Sequence, residues 1–230
     1  MRVIEMGRMI SVIIPTLNEE VAIGKVIDMI PRTEDMEIMI VDGLSTDKTV
    51  EIATQRGARA VMETRKGYGR AYKTGFKEAK GDIIVTFDGD LTYPAEKVLE
   101  LVDHLNEHDL DFITCDRLSE LDKKAMVRSH RIGNWILKTA SNILFRLNLK
   151  DSQSGMWVFK KEILEKISLE SDGMPLSEEI KIRMFKHPDI KAVEIPIEYR
   201  IREGEVKLNS WKDGWNNLKF LFHLRFTKHQ

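Results

Sequence analysis

The chain has 230 residues, of which 42% are hydrophobic and 32% are charged, a composition that excludes a disordered or collagen-like polypeptide and fits one globular domain. Its 36 lysines and arginines nearly balance 37 acidic residues, so the net charge of -1 excludes a general polyanion binder, and we expect no nucleic-acid partner. The single cysteine, Cys115, excludes an internal disulfide and a cysteine-based zinc site, which fits a cytoplasmic protein.

Short apolar runs alternate with helical patterns along the first half of the chain. The runs at residues 10–15, 37–41, 58–62, 82–87 and 111–115 predict strands. Apolar spacings of three and four predict helices over residues 19–30, 46–56, 68–79 and 94–106, with Thr46 as an N-cap and Pro94 in a first turn. This alternation is typical of an α/β fold with a mostly parallel sheet and helices on both faces.

The second half begins with a basic, amphipathic stretch. Residues 123–150 hold seven lysines and arginines and no acidic residue, and their apolar side chains recur on one helical face. Strands at residues 153–160 and 193–199, a helix at 176–185 and an amphipathic segment at 211–226 are expected to follow. No repeat or flexible linker interrupts the sequence, so we expect a single domain over residues 1–230.

Polar side chains follow the predicted parallel strands, at the sheet edge where ligands bind in such folds. Asp42 and Asp47 flank a turn where carboxylates could accept hydrogen bonds from a base or a ribose, although a helix-start role for Asp47 is equally well supported. Asp88 and Asp90 enclose Gly89, and two convergent carboxylates favour Mg²⁺ or Mn²⁺, the alternative being a solvated turn.

A dinucleotide-binding fold is disfavoured by the glycine pattern. The first predicted strand is not followed by a glycine-rich turn, and residues 67–72 lack the third glycine of the dinucleotide fingerprint. A nicotinamide-dependent dehydrogenase is therefore a weak hypothesis.

The strand-end motifs carry a family resemblance. Residues 11–20 (SVIIPTLNEE), the Asp42 turn with Asp47 and the Asp88-Gly89-Asp90 turn resemble the nucleotide-sugar-binding half of family 2 inverting glycosyltransferases with the GT-A fold. Residues 151–159 (DSQSGMWVF) and 200–214 resemble the polyprenyl-phosphate branch, the dolichyl-phosphate mannose and glucose synthases and their archaeal relatives. The resemblance implies a Rossmann-like GT-A sheet, with residues 1–117 as the nucleotide-sugar-binding half and residues 118–230 as the acceptor half.

The resemblance also implies roles for individual residues. By this resemblance Pro15, Asn18, Glu19 and Asp42 would contact the nucleoside, with Asp47 beside them. Lys66 and Arg202 would bind the diphosphate or the acceptor phosphate, Asp88 and Asp90 the Mg²⁺ or Mn²⁺ ion, and Arg117 and Arg131 the lipid phosphate. In some dolichyl-phosphate mannose synthases a glutamine two residues after the second aspartate also binds the metal, whereas Thr92 stands here.

A phosphate acceptor fits the charge pattern. A phosphate monoester is largely dianionic near pH 7, with a second pKa of about 6, so it attacks without a general base, and the basic stretch with Arg117 upstream supplies cations for its oxygens. We therefore expect transfer of a sugar from a UDP- or GDP-sugar to dolichyl or polyprenyl phosphate. Two alternatives stay open, a hydroxyl acceptor with Glu178 or Glu179 as general base, and a non-catalytic nucleotide-sugar-binding subunit.

A polyprenyl acceptor requires access to a membrane. Residues 211–226 carry aromatic side chains with interspersed cations, which predicts an interfacial segment or, equally, an element that closes the core. We expect no secretion signal, because Arg2, Glu5 and Arg8 interrupt the first positions, and no bilayer span, which takes about 20 apolar residues. The expected location is the cytoplasmic face of a membrane, by peripheral contact or through a separate membrane subunit.

Overall fold

A seven-stranded sheet forms the centre of the molecule in the computed structural model, which describes residues 8–119, 126–204 and 210–227, the last segment with side chains from residue 213 onward. The strands are β1 (Ile10–Thr16), β2 (Met36–Asp42), β3 (Arg59–Met62), β4 (Ile83–Thr86), β5 (Phe112–Asp116), β6 (Trp157–Lys160) and β7 (Ala192–Pro196). Their order is β3-β2-β1-β4-β6-β5-β7. Only β6 runs antiparallel, between β4 and β5, so the expected mostly parallel sheet is confirmed.

Seven α-helices accompany the sheet in the described residues. They are α1 (Ile23–Met29), α2 (Thr49–Gln55), α3 (Tyr68–Glu78), α4 (Val98–Glu107), α5 (Arg128–Phe145), α6 (Leu176–Lys186) and α7 (Ser210–Phe226). The prediction of Thr46 as an N-cap is wrong, since α2 begins at Thr49. The N-cap position is Lys48, and the carboxylate of Asp47 before it accepts the Thr49 N–H at 2.9 Å and the Thr49 hydroxyl at 2.5 Å.

Helices cover both faces of the sheet, as predicted. Val12 and Ile14 of β1 enter one core with α1 and α4, while Ile13 between them enters a second core with α3 and α6. Gly75 lets α3 approach β1 closely, because a Cβ atom there would lie 2.6 Å from Ile13 Cγ2. This two-sided burial fixes the carboxyl ends of the strands.

The predicted strand over residues 153–160 is shorter than expected and begins at Trp157. The Met156 carbonyl still accepts the Cys115 N–H of β5 at 3.0 Å, but the backbone groups of Gly155 bond to side chains. The Gly155 N–H donates to the Tyr93 hydroxyl at 2.8 Å, and the Gly155 carbonyl accepts the Thr86 hydroxyl at 2.8 Å. Residues 151–156 therefore form a buried loop beside the ends of β4 and β5.

The basic stretch forms a helix that is shorter than residues 123–150. α5 spans Arg128–Phe145 and ends at Arg146, whose left-handed backbone (φ 54°) breaks the helix. Leu137 of α5 packs with Ile182 of α6 and with Leu221 and Leu224 of α7. The predicted basic residues Lys123 and Lys124 lie outside the described residues.

Candidate active site

The carboxyl ends of the parallel strands open onto two adjoining cavities. The first, named here the strand-end cavity, has a volume of about 560 Å³ and lies against the ends of β1 and β2, the β3–α3 loop and the turn after β4. The second, the helix-side cavity, has a volume of about 410 Å³ and lies between the end of β5 and helices α5 and α7. The residues that line both cavities form their junction: Tyr68, Asp88, Asp90, Met174 and Arg202.

The turn after β4 brings both predicted metal ligands to this junction. Asp90 accepts hydrogen bonds from the N–H of Thr92 at 3.1 Å and from its hydroxyl at 2.6 Å. Asp88 accepts one from the Tyr68 hydroxyl at 3.2 Å. Thr92 therefore orients Asp90.

The charges of the two aspartates influence each other. Burial, and then the charge of Asp90, raise the pKa of Asp88 to about 7. Within the described ranges, no group of three or more His, Cys, Asp and Glu side chains is arranged to hold a metal ion. The pair fits a hard divalent cation that takes its other ligands from a bound phosphate group or from water.

Arg202 reaches the junction from a segment that follows β7. Its guanidinium donates to Asp90 Oδ2 at 2.8 Å and to Glu19 Oε1 at 2.9 Å. Backbone bonds hold this segment, since the Glu203 N–H donates to the Asp90 carbonyl at 3.0 Å and the Arg200 N–H to the Thr92 carbonyl at 2.9 Å. Arg202 is thus fixed against both the Asp88–Asp90 turn and the β1–α1 loop.

Some of the implied nucleoside and phosphate contacts lie at the strand-end cavity. Pro15, Glu19 and Lys66 line it. Asp42 is fully buried at the end of β2 and is not among the lining residues. Its carboxylate accepts the Ser45 N–H at 2.7 Å and so holds the turn whose residues face the cavity.

Asn18 and Asp47 tie two loops together outside the lining of the cavity. Asn18 Oδ1 accepts the Thr46 N–H at 2.8 Å. Asp47 Oδ2 accepts the Glu20 N–H at 3.1 Å. The β1–α1 and β2–α2 loops are therefore joined by side-chain to backbone bonds, so both residues shape the cavity from behind.

The structure separates the two arginines implied in acceptor-phosphate binding. Arg117 follows β5, is buried, and lines the helix-side cavity with its guanidinium 5.2 Å from the centre of the Tyr199 ring. Arg131 is exposed on the first turn of α5 and is not among the lining residues. Arg117 alone of this pair reaches the cavity in this arrangement.

Neither glutamate considered as a general base lines the strand-end cavity or the helix-side cavity. Glu178 and Glu179 are fully buried in the first turn of α6. Glu179 accepts the N–H groups of Glu170 at 2.9 Å and Ser171 at 2.8 Å. Glu178 accepts the side-chain amide of Gln153 at 2.5 Å, and burial raises the pKa of Glu178 to about 8. Glu178 is thus linked to the helix-side cavity through Gln153.

Sequence reasoning missed several residues that line the cavities: Tyr68, Met174, Gln153, Tyr199 and Asn217. Gln153 lies in the DSQSG segment that carries the family resemblance, so a signal for it was present. Met174 and Asn217 belong to no motif, and only the packing of α6 and α7 brings them to the site.

Helices α5 and α7 form an outer surface beyond the helix-side cavity. A groove of about 440 Å³ between them shares Ser129, Gly133, Leu137 and Gly214 with that cavity. The large apolar side chains exposed on these two helices are Ile132, Trp135, Ile136, Ile143, Trp215, Phe222 and Phe226. Residues 211–226 therefore both close a core and expose aromatic rings, and the side chain of Trp211 lies outside the described residues.

No helix in the described segments has the length and hydropathy needed to cross a bilayer.

Comparisons with known proteins identify the family. The family described as "Glycosyl transferase family 2" matches residues 11–168. A dolichyl-phosphate hexose transferase of Haloferax volcanii is 34% identical, with 89% of each chain covered. The low-salt glycan biosynthesis hexosyltransferase Agl6 of the same organism is 36% identical over 92% of this chain, which spans about half (52%) of Agl6.

Solved structures share the fold. Glucosyl-3-phosphoglycerate synthase of Mycobacterium tuberculosis, in complex with Mn²⁺, UDP-glucose and phosphoglyceric acid, superimposes with a TM-score of 0.76. That likeness has 21% identity and covers 97% of this chain and 82% of the other. It confirms the GT-A fold implied by the sequence. Because the family model matches residues 11–168, more than half of the chain, and the Haloferax volcanii dolichyl-phosphate hexose transferase is 34% identical over 89% of each chain, this chain belongs to the family 2 glycosyl transferases.

Proposed function

We propose that this glycosyltransferase moves a hexose from a UDP- or GDP-sugar to dolichyl or another polyprenyl phosphate, with inversion at the anomeric carbon and with Mg²⁺ or Mn²⁺ as cofactor. The observation that carries the proposal is the meeting of two cavities at Asp88 and Asp90, with the buried cation Arg117 on the far side. The name of the dolichyl-phosphate hexose transferase supports the acceptor, and the UDP and Mn²⁺ of the solved synthase support the donor and the cofactor.

The strand-end cavity suits the nucleotide-sugar. Pro15, Glu19 and Lys66 line it, and Arg202 adds a cation beside the aspartate pair. Asp42, Asn18 and Asp47 support its walls from the turns behind. In this proposal residues 1–117 supply the nucleotide-sugar-binding half.

Asp88 and Asp90 would hold the metal ion, which when bound neutralises charge on the leaving diphosphate. Arg202 and Lys66 would add positive charge to the same group. As the acceptor oxygen bonds to the anomeric carbon, the bond to the diphosphate breaks and its electron pair leaves with the nucleotide. A single displacement across the junction inverts the anomeric centre.

The helix-side cavity suits the acceptor phosphate. Arg117 lies there, and a dianionic phosphate needs no proton acceptor, which agrees with the position of Glu178 and Glu179 outside the lining. Arg131 would meet the phosphate only after movement of its side chain or of α5. In this proposal residues 118–230 supply the acceptor half.

The apolar groove and exposed rings of α5 and α7 suit a polyprenyl tail at a membrane surface. Trp215, Phe222 and Phe226 are exposed on α7, and Lys219 and Arg225 lie among them. We propose peripheral contact with the cytoplasmic face of a membrane, with a separate membrane subunit as the other route to the lipid.

The test incubates the purified chain with a panel of UDP- and GDP-sugars, Mg²⁺ or Mn²⁺ and a short-chain polyprenyl phosphate, and detects glycolipid by mass spectrometry. We expect one donor to give product, and Asp88→Asn or Asp90→Asn to abolish it. Transfer to a hydroxyl acceptor that is lost in Glu178→Gln would replace the proposal with the general-base alternative. Nucleotide-sugar binding without turnover on any acceptor would favour a non-catalytic subunit.

A further inference from the structure

We infer that Asp151 is a positioning residue for the acceptor phosphate and acts through Arg117. The inference rests on the proposed function and extends it to a residue that lines neither cavity. Asp151 lies in the buried loop that precedes β6 and is fully buried. Arg117 follows β5 and faces the helix-side cavity.

The contact between the two side chains fixes the guanidinium in position and rotation. Arg117 Nε donates to Asp151 Oδ2 at 2.7 Å, and Nη2 donates to Oδ1 at 3.0 Å. The Arg117 backbone N–H also donates to Oδ2, at 3.1 Å. A planar fork paired with a carboxylate in this way has one orientation, so the remaining guanidinium hydrogens are left to an anion in the cavity.

Asp151 is itself held rigidly from behind. The buried ammonium of Lys181 donates to the Asp151 carbonyl at 2.8 Å. Glu194 accepts the backbone N–H of Lys150 at 2.7 Å and that of Asp151 at 3.1 Å. Groups from α6 and β7 therefore place the carboxylate, and through it Arg117.

The charge balance supports the same role. Burial alone would raise the pKa of Asp151, but the Arg117 cation and its hydrogen bonds outweigh burial and hold the pKa well below its usual range. The pair is therefore ionised at neutral pH. An unpaired arginine at this depth would turn toward water or another carboxylate, which the paired aspartate prevents.

The test measures acceptor binding and turnover separately from nucleotide binding. Citronellyl phosphate, a short polyprenyl phosphate, is titrated into the protein by calorimetry, and the acceptor KM and the Kd for UDP and GDP are measured for wild type and variants. We expect Asp151→Asn and Arg117→Gln each to weaken citronellyl phosphate binding and raise the acceptor KM about tenfold or more. Nucleotide Kd should stay within about twofold, because the pair lies outside the strand-end cavity.

A double-mutant cycle separates positioning from general destabilisation. If Asp151 acts through Arg117, adding Asp151→Asn to Arg117→Gln changes the acceptor KM by less than about twofold further. Arg117→Lys keeps the charge but cannot form the fork, and we expect it to raise the acceptor KM as Asp151→Asn does. Because Arg117→Lys leaves Asp151 paired with a cation, this variant can be used for the test if Asp151→Asn fails to fold. Asp111→Asn, which breaks an ion pair with Lys160 at the opposite end of β5, is the matched control.

The outcomes distinguish the inference from the proposed function. The inference is overturned if the acceptor KM is unchanged in folded Asp151→Asn or in Arg117→Lys. It is also overturned if the effects of the two substitutions on the acceptor KM multiply in the double variant, or if citronellyl phosphate does not bind to the wild type. Wild-type binding that both single variants weaken, without transfer of any sugar to the phosphate, would support the inference and overturn the proposed function.

Discussion

Removal of the Arg202 guanidinium should strengthen metal binding in the absence of nucleotide. Arg202 donates to Asp90 and Glu19, and a cation bound at Asp90 must replace the first of these contacts. The Asp90 side chain is 6% exposed and the Arg202 side chain is 25% exposed. The free energy of this ion pair should therefore exceed the value of about 0.2–1 kcal/mol that is typical of fully exposed pairs, without reaching that of fully buried ones. Taking about 1.4 kcal/mol for its loss, Arg202→Ala should bind Mn²⁺ about tenfold more tightly.

The assay is a titration of Mn²⁺ followed by electron paramagnetic resonance of the free ion, with thermal melting to confirm folding. Arg200→Ala is the matched control, because Arg200 lies in the same segment but pairs with Glu96 and Glu198. In the presence of UDP or GDP we expect Arg202→Ala to weaken Mn²⁺ binding instead, since the variant also loses a cation beside the diphosphate. Mn²⁺ affinity in Arg202→Ala no higher than in Arg200→Ala would refute the competition.

Three further perturbations test other parts of the structure. Burial raises the pKa of Glu178 to about 8, so the native state keeps a proton that the unfolded chain releases, and wild-type stability falls as pH rises from 5 to 8. Glu178→Gln should reduce that fall in unfolding free energy, measured by urea unfolding, by on the order of 2 kcal/mol. The same pH dependence of stability in wild type and variant would contradict the raised pKa of Glu178. Gly75→Ala should cost about 1–3 kcal/mol of unfolding free energy, because its Cβ would meet Ile13; a cost near zero would mean that α3 shifts freely. Replacing the exposed Trp215 and Phe222 with serine should reduce co-sedimentation with anionic vesicles without lowering the melting temperature, and an unchanged bound fraction would exclude this surface as the contact.

The local parts of the site could be predicted from the sequence. Asp88 and Asp90 follow a buried apolar run, and the parallel-sheet pattern alone places such residues at the ligand-binding edge. Asp47 shows the limit of local reasoning, since both a ligand contact and a helix start suited it, and the structure shows the helix-start contact. Its nucleotide role stays a prediction.

Contacts between distant segments could not be predicted. The family resemblance assigned Arg202 to a phosphate, but gave no sign of its bonds to Asp90 and Glu19. Asp90 precedes Arg202 by 112 positions in the chain, and Glu19 precedes it by 183 positions. The periodicity and spacing of apolar residues predict single helices and strands. These contacts depend instead on how the segment after β7 crosses the turn after β4. The bond between Asp151 and Arg117 likewise depends on the loop at residues 151–156, of which the sequence pattern predicted residues 153–156 to be strand.

The antiparallel strand β6 has a consequence for how the chain must fold. Thr86 of β4 and Thr114 of β5 both pair with Trp157, so these two strands join one sheet only through residues 157–160, which lie between them. Before that step the edge of β4 lacks its partner, and an open edge of this kind invites pairing with another chain. A fragment of residues 1–117 would keep that edge open permanently, so we expect the proposed nucleotide-sugar-binding and acceptor halves, which share one sheet, not to fold as independent modules.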